Sequence, residues 1–257
     1  MRILIANDDG IHAPGLRALA LALQDLGELT IIAPEREQSA VGHAVTLHKP
    51  LRKRPFVLEG VEAEAYATNG TPADCVALGT VDLGRLPDLV VAGINAGANL
   101  GEEVLYSGTA SAAMEGALAG VAAFSISVAA RPVADFRPAA QFARALAESL
   151  RTEPLPAGTY LNVNVPDLPP DALQGVEATR LGWRRYVNRM EERVDPRGQP
   201  YYWFSGDPEE HDNSQGTDIA AIAAGRISVT PLHFDLTSHS QIGPAAARLA
   251  HLRPPRP

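Results

Sequence analysis

The stretch RILIANDDGIHAPGLRALALALQDLGELTIIAP, residues 2–34, decides the fold. RILIA (2–6) is a short apolar run closed by polar residues, the pattern of a strand buried on both faces. PGLRALALALQDLG (14–27) carries Pro14 near the first helical position, apolar residues on a helical period, and Gly27 as a stop. LTIIAP (29–34) is a second apolar run. Strand, helix and strand make a β-α-β unit, and the right-handed crossover rule makes its strands parallel neighbours.

The rhythm continues outward. Strands are expected at PDLVVAGIN (87–95), VAAFSISV (121–128) and TYLNVNVP (159–166), with helices at SGTASAAMEGALAG (107–120) and RPAAQFARALAESL (137–150). The alternation predicts an α/β fold, a Rossmann-like doubly wound and mostly parallel sheet with both faces covered. VTLHKPLRKRPFVLEG (45–60) reads as an antiparallel excursion. RLGWRRYVNRMEERVDPRGQPYYWFSG (180–206) reads as an extended β-hairpin turning at Asp-Pro-Arg-Gly. TDIAAIAAGRISVTPL gives a short helix and a strand, and the terminal RPPRP is expected to fray. The expected division is an α/β core with the active-site loops over 1–175. The hairpin and C-terminal segment follow over 176–257, partly returning to the core and exchanged between subunits.

Composition narrows the function. An apolar fraction of 46% in 257 residues supports a sizeable core. No leader of the secretory type and no bilayer-length apolar run is visible, so a cytoplasmic protein without a membrane partner is expected. The single cysteine, Cys75 in TPADCVALG, forms no disulfide within the chain and reads as a small buried hydrophobe. With a formal net charge of −8 and scattered basic residues, no nucleic-acid polymer is expected as a partner. Any phosphate anion must be met by local positive charge: a cation, a helix N-terminus, or both.

Three loops fall at the carboxyl ends of the predicted strands, where open α/β sheets bind ligands: NDDGIHAPG, PEREQSAVGHA and GINAGANLGEEVLYSGT. Asp8-Asp9-Gly10 reads equally as an Asx turn or as a site; a strand would point the two aspartates apart, and Gly10 supplies a bend that brings them together. Gly10 and Gly15 do not have the spacing of a dinucleotide fingerprint, and two carboxylates would repel a pyrophosphate. Asp-Asp is not the Asp-x-Asp of haloacid-dehalogenase-type phosphatases. Ser39 lacks the surroundings of a hydrolase nucleophile and reads as a solvated hydroxyl as readily as a ligand. The histidines form no zinc pattern; His12, beside the aspartates, is the one expected to face the site. Asn95 follows a strand in a loop whose Gly93, Gly97 and Gly101 permit unusual turns. Ser107, Gly108 and Thr109 open a helix, where free amides and hydroxyls suit phosphate and where Ser107 or Thr109 also suits an N-cap.

NDDGIHAPG, the AP-x-x-x-QSAVGHAVTL block, GTPADCV, GINAGANLG, YSGTASAAMEG, LNVNVP and TDIAAIAAGRISVTPL occur in the order of the SurE survival-protein family, which the chain resembles over nearly its whole length. The resemblance implies a metal-dependent 5′/3′-nucleotidase that hydrolyses nucleoside monophosphates to nucleoside and phosphate, with short polyphosphate as a further candidate substrate. It implies one divalent cation per subunit held by Asp8, Asp9, Ser39 and Asn95, with Asp8 and Asp9 the catalytic aspartates. It further implies a substrate-phosphate pocket at Asn95, Ser107, Gly108 and Thr109. An all-oxygen donor set suits Mg²⁺ or Mn²⁺, and Ca²⁺ is compatible. The alternative is a non-catalytic nucleotide-binding sensor on the same fold. Tyr201, Tyr202, Trp203 and Phe204 on the hairpin, together with the family likeness, imply a homodimer or homotetramer built through this arm or the C-terminal segment.

Overall fold

The structure is a computed structural model that describes residues 1–81, 85–186, 189–205 and 208–252. Its centre is a nine-stranded sheet. Strands β1 (Arg2–Ala6), β2 (Glu28–Pro34), β4 (Glu64–Thr68), β5 (Leu89–Ala96), β6 (Ala122–Val128) and β7 (Thr159–Val165) run in the spatial order β4-β2-β1-β5-β6-β7, all parallel. From β1 the chain builds outward on one side through β2 and β4, then returns to the other side of β1 with β5. The topological switch point therefore lies between β1 and β5, where a ligand crevice is expected.

Side-chain alternation explains why RILIA is apolar throughout. Ile3 and Ile5 enter one core with helices α1 (Pro14–Leu23) and α4 (Arg137–Thr152), while Leu4 and Ala6 enter a second core on the opposite face. The second core is covered by α2 (Pro72–Val81) and α3 (Gly108–Leu118). Cys75 belongs to it, fully buried, and burial pushes its thiol well above the ordinary range. The cysteine is a packing residue.

The remaining strands complete the two edges. Strand β3 (Lys53–Phe56) pairs antiparallel with β4, which is the excursion expected over 45–60. Strand β4 itself, EAYAT, is missed by the apolar-run reading because only part of it is buried. At the other edge β13 (Ile227–His233) runs antiparallel to β7 and carries the short parallel strand β8 (Val176–Ala178). Helix α5 (Asp218–Ala223) precedes β13.

Between β8 and α5 the chain leaves the sheet. Strands β9 (Arg184–Tyr186) and β12 (Pro208–His211) form the foot of an arm, and β10 (Arg189–Val194) pairs with β11 (Pro200–Ser205) beyond it. The arm turns where expected: Gly198 donates to the Asp195 carbonyl at 2.9 Å and takes a φ of +80°. Tyr201, Tyr202 and Trp203 are exposed along β11; the side chain of Phe204 lies outside what is described. A last helix, α6 (Ile242–Leu249), was not anticipated and buries none of its residues. The terminal RPPRP lies outside the described residues.

Candidate functional site

The carboxyl rim at β1 is built around Asn7. Its buried side chain donates to the Gly10 carbonyl at 2.9 Å and accepts the Gly10 amide at 3.2 Å, closing residues 7–10 into a tight turn. Gly10 sits at φ +98°, a conformation that favours glycine. The turn sends the two aspartates to different neighbours. Asp8 is 7% exposed and accepts a short hydrogen bond from the Thr109 hydroxyl of α3. Asp9 accepts the Ala96 amide at 3.0 Å, at the end of β5. Burial raises both carboxyls above their ordinary value, Asp8 to about 6, with the Asp9 charge adding to the rise at Asp8. Two desolvated carboxylates side by side are costly unless a cation offsets them.

Helix α3 begins against Asp8. A Cβ at Gly108 would lie 2.8 Å from the Asp8 Cβ and 3.0 Å from its Oδ2, so glycine alone allows this approach. Ser107 is the N-cap, its Oγ accepting the Ala110 amide at 3.0 Å, and the Ser111 amide bonds the Ser107 carbonyl at 3.1 Å. The Gly108 amide opens the helix with no acceptor among the described residues, while the Thr109 amide turns toward the Asp8 carboxylate and helps hold its charge. The Thr109 hydroxyl, fully buried, is committed to Asp8 and reaches the site through it.

Asn95 and Ser39 complete the predicted donors. Asn95 is half-buried at the end of β5, and its amide nitrogen donates to the Gly97 carbonyl at 2.7 Å, so Oδ1 is the atom a cation would take. Ser39 lies on an exposed loop that is tied to the rim by the Gln38 amide on the Asp8 carbonyl at 2.8 Å. Its hydroxyl donates to Glu37, which pairs with Arg131 at 2.9 Å. Among the described residues no three His, Cys, Asp or Glu side chains gather to hold a metal. A cation here would have two carboxylates and neutral oxygens, a hard-ligand set that fits Mg²⁺, Mn²⁺ or Ca²⁺ and not zinc. His12 is exposed, and its ring meets Phe56 edge-on with ring centroids 5.0 Å apart. A cavity of about 240 Å³ bordered by Arg2, Glu28 and Glu64 opens at the opposite, amino-terminal end of the strands, away from this chemistry.

A family model described as "Survival protein SurE" matches residues 3–188. The chain belongs to the SurE family. SurE relatives resemble it along its length: a protein named 5′-nucleotidase SurE from Moorella thermoacetica is 50% identical over 256 residues, 99% of this chain and 98% of that one. One of the same name from a Synechococcus is 51% identical over 245 residues, covering 93% and 94%. The crystal structure of a SurE protein from Aquifex aeolicus superposes with a TM-score of 0.82 at 38% identity, covering 96% and 99%. The haloacid-dehalogenase alternative falls with the family assignment.

Sequence reading missed the residues that hold the SurE rim in shape. Asn99, buried in the loop after β5, donates its main-chain amide to Asn164 Oδ1 and its side-chain amide to Ser127, each at 2.8 Å. Its carbonyl accepts from Asn162 at 2.8 Å and from Asn164 at 3.0 Å. The signal was present in LNVNVP: two amides at i and i+2 inside a buried strand must face one side and find partners there.

Proposed function

We propose that this SurE-family chain is a metal-dependent phosphatase that hydrolyses nucleoside 5′- and 3′-monophosphates to nucleoside and phosphate, and that short polyphosphate is a further substrate. The observation that carries the reading is the meeting of Asp8 with the start of α3. A desolvated carboxylate beside an open helix N-terminus puts a cation position next to an anion position. The names of the relatives point the same way.

In this reading Asp8, Asp9, Ser39 and Asn95 hold one divalent cation per subunit, Mg²⁺ or Mn²⁺. The chemistry a bound cation supplies is Lewis-acid polarisation of a phosphoryl oxygen and acidification of water. The chain's own groups do the rest. The Ala96 amide fixes Asp9, and the Thr109 hydroxyl fixes Asp8, so neither carboxylate must reorganise. The Gly108 amide receives an equatorial phosphate oxygen, with Thr109 joining that position to Asp8, Ser107 holding the helix start and the Asn95 amide at the border of both positions. The non-catalytic sensor has no observation in its favour.

The assembly reading is a homodimer or homotetramer of a cytoplasmic enzyme. The core is 1–175, and 176–257 supplies the arm and C-terminal segment exchanged between subunits. Its support is the exposed row Tyr201, Tyr202 and Trp203 and the uncovered apolar residues Ile242 and Leu249 of α6.

Phosphate release from a panel of nucleoside monophosphates, measured with Mg²⁺, with Mn²⁺ and with EDTA, tests the function. Turnover that EDTA abolishes and metal restores is expected. Nucleotide binding without phosphate release under every metal condition would establish the sensor instead.

A further inference from the structure

The block TDIAAIAAGRISVTPL contributes nothing to the cation or phosphate positions, yet its first acid, Asp218, is completely buried. Among the described residues no cationic side chain meets it. Its oxygens are satisfied by main chain: Oδ2 accepts the Gly101 amide at 2.7 Å, and Oδ1 accepts the Gly182 amide at 2.8 Å and the Ile219 amide at 2.9 Å. These amides belong to the loop after β5, the foot of the arm and the start of α5. Hydrogen bonds to an ionised acceptor are the strong ones, so one carboxylate fastens three segments.

The junction is tight and reinforced from outside. A Cβ at Gly101 would lie 2.8 Å from the Gly182 carbonyl oxygen, so the two backbones touch. Arg184 Nη1, at the arm's foot, reaches both oxygens of Glu103, at 3.1 and 3.2 Å. Gly101 begins the 3-10 turn Gly101–Leu105, whose Glu103 and Val104 carbonyls receive the Ser107 amide at 3.1 and 3.3 Å. Ser107 in turn caps α3. A single 3-10 turn therefore joins the hydrogen bond at Asp218 to the hydrogen bonds at the helix start.

We propose that Asp218 is a positioning residue for the phosphate cradle at 107–109, and that through it the foot of the arm sets the cradle's geometry. The inference rests on reading 107–109 as the phosphate site. Asp218→Asn keeps the size but presents a donor to one of the amides, releasing one of the fastened loops.

Steady-state kinetics with 5′-AMP at saturating Mn²⁺, product inhibition by inorganic phosphate, and melting with and without Mn²⁺ form the test. Asp218→Asn is expected to lower kcat/KM about tenfold or more, mostly through KM, and to weaken phosphate inhibition in parallel. Mn²⁺ should still raise its melting temperature as in wild type. Glu103→Gln, at a partly exposed position, loosens the junction without threatening folding and should raise KM about two- to fivefold. A folded Asp218→Asn with both constants within about twofold of wild type overturns the inference. If Asp218→Asn does not fold, an unchanged KM in Glu103→Gln overturns it. Wild type that neither turns over 5′-AMP nor binds phosphate overturns the phosphatase reading itself.

Discussion

The rim at β1 and β5 and the arm at β10 and β11 solve opposite problems. Polar groups at the rim are drawn inward: Asn7, Asp8, Asn99 and Thr109 are all buried, and each is hydrogen-bonded within the chain. On the arm, aromatic groups are pushed outward, with Trp203 59% and Tyr202 55% exposed. Buried polar groups that are satisfied define one geometry, which is what chemistry needs. Exposed aromatics on a two-stranded ribbon define a surface still to be covered. One region turns its polar groups inward onto partners in the fold; the other leaves its aromatic row uncovered.

The largest effect should come from the rim. If both aspartates ligate one cation, Asp8→Asn or Asp9→Asn removes one of its two charged ligands, and kcat/KM should fall at least about a hundredfold, beyond the range typical of losing an outer-shell partner. Assays over rising Mn²⁺ check it, with partial recovery expected where binding alone is impaired. Near-normal turnover for either variant would reduce that aspartate to a loop-orienting role.

Thr109→Val should rank next. Its hydroxyl donates to Asp8, so the variant leaves a buried carboxylate short of a partner, a loss of roughly 1.5–3 kcal/mol for a hydrogen bond to a charged group. That corresponds to a ten- to a hundredfold drop in kcat/KM, roughly. A direct phosphate contact alone, as the family resemblance implies, would leave metal affinity untouched. The contact with Asp8 changes the expectation: metal-induced stabilisation should weaken as well. Unchanged metal affinity with a raised KM would return Thr109 to the phosphate side.

This difference marks where the sequence stops being legible. β1, β2 and the parallel layers followed from apolar runs and helical periods, because burial on two faces leaves a pattern in one dimension. Gly10 was readable as a place where the chain must bend, but the close approach of Gly108 to Asp8 was not. The partners of buried polar groups were not readable, because Thr109 finds Asp8 across 101 residues and Gly101 finds Asp218 across 117. His12 illustrates another unread contact: nothing in the sequence pointed to Phe56, whose ring its imidazole meets edge-on. The weakly apolar β4 and the unburied α6 escaped notice because neither carries a clean periodic signal.

On the arm the effect should be on assembly. Replacing Tyr202 and Trp203 together by serine should lower the molar mass seen by light scattering, while the melting temperature of the core changes little. Wild type that is already a monomer at micromolar concentration would contradict the contrast between the two regions. The smallest effect is expected at His12. Its edge-on contact with Phe56 is worth about 0.5–1.5 kcal/mol beyond area burial, so His12→Ala should cost a few degrees of melting temperature at most and leave turnover near wild type. A collapse of activity would put the imidazole back in the site.

If Asp8 and Asp9 sit side by side because one cation uses both, melting curves of Asp8→Asn with and without Mn²⁺ will show it. Burial raises the Asp8 carboxyl from 3.8 to about 6, so its charge costs stability in the metal-free fold at pH above that value, and the cost disappears below the unfolded value. At pH 7.5 the metal-free variant should therefore melt a few degrees above metal-free wild type. Mn²⁺ should then stabilise wild type strongly and the variant hardly at all. A variant that gains as much from Mn²⁺ as wild type does, while turning over normally, would contradict the shared cation.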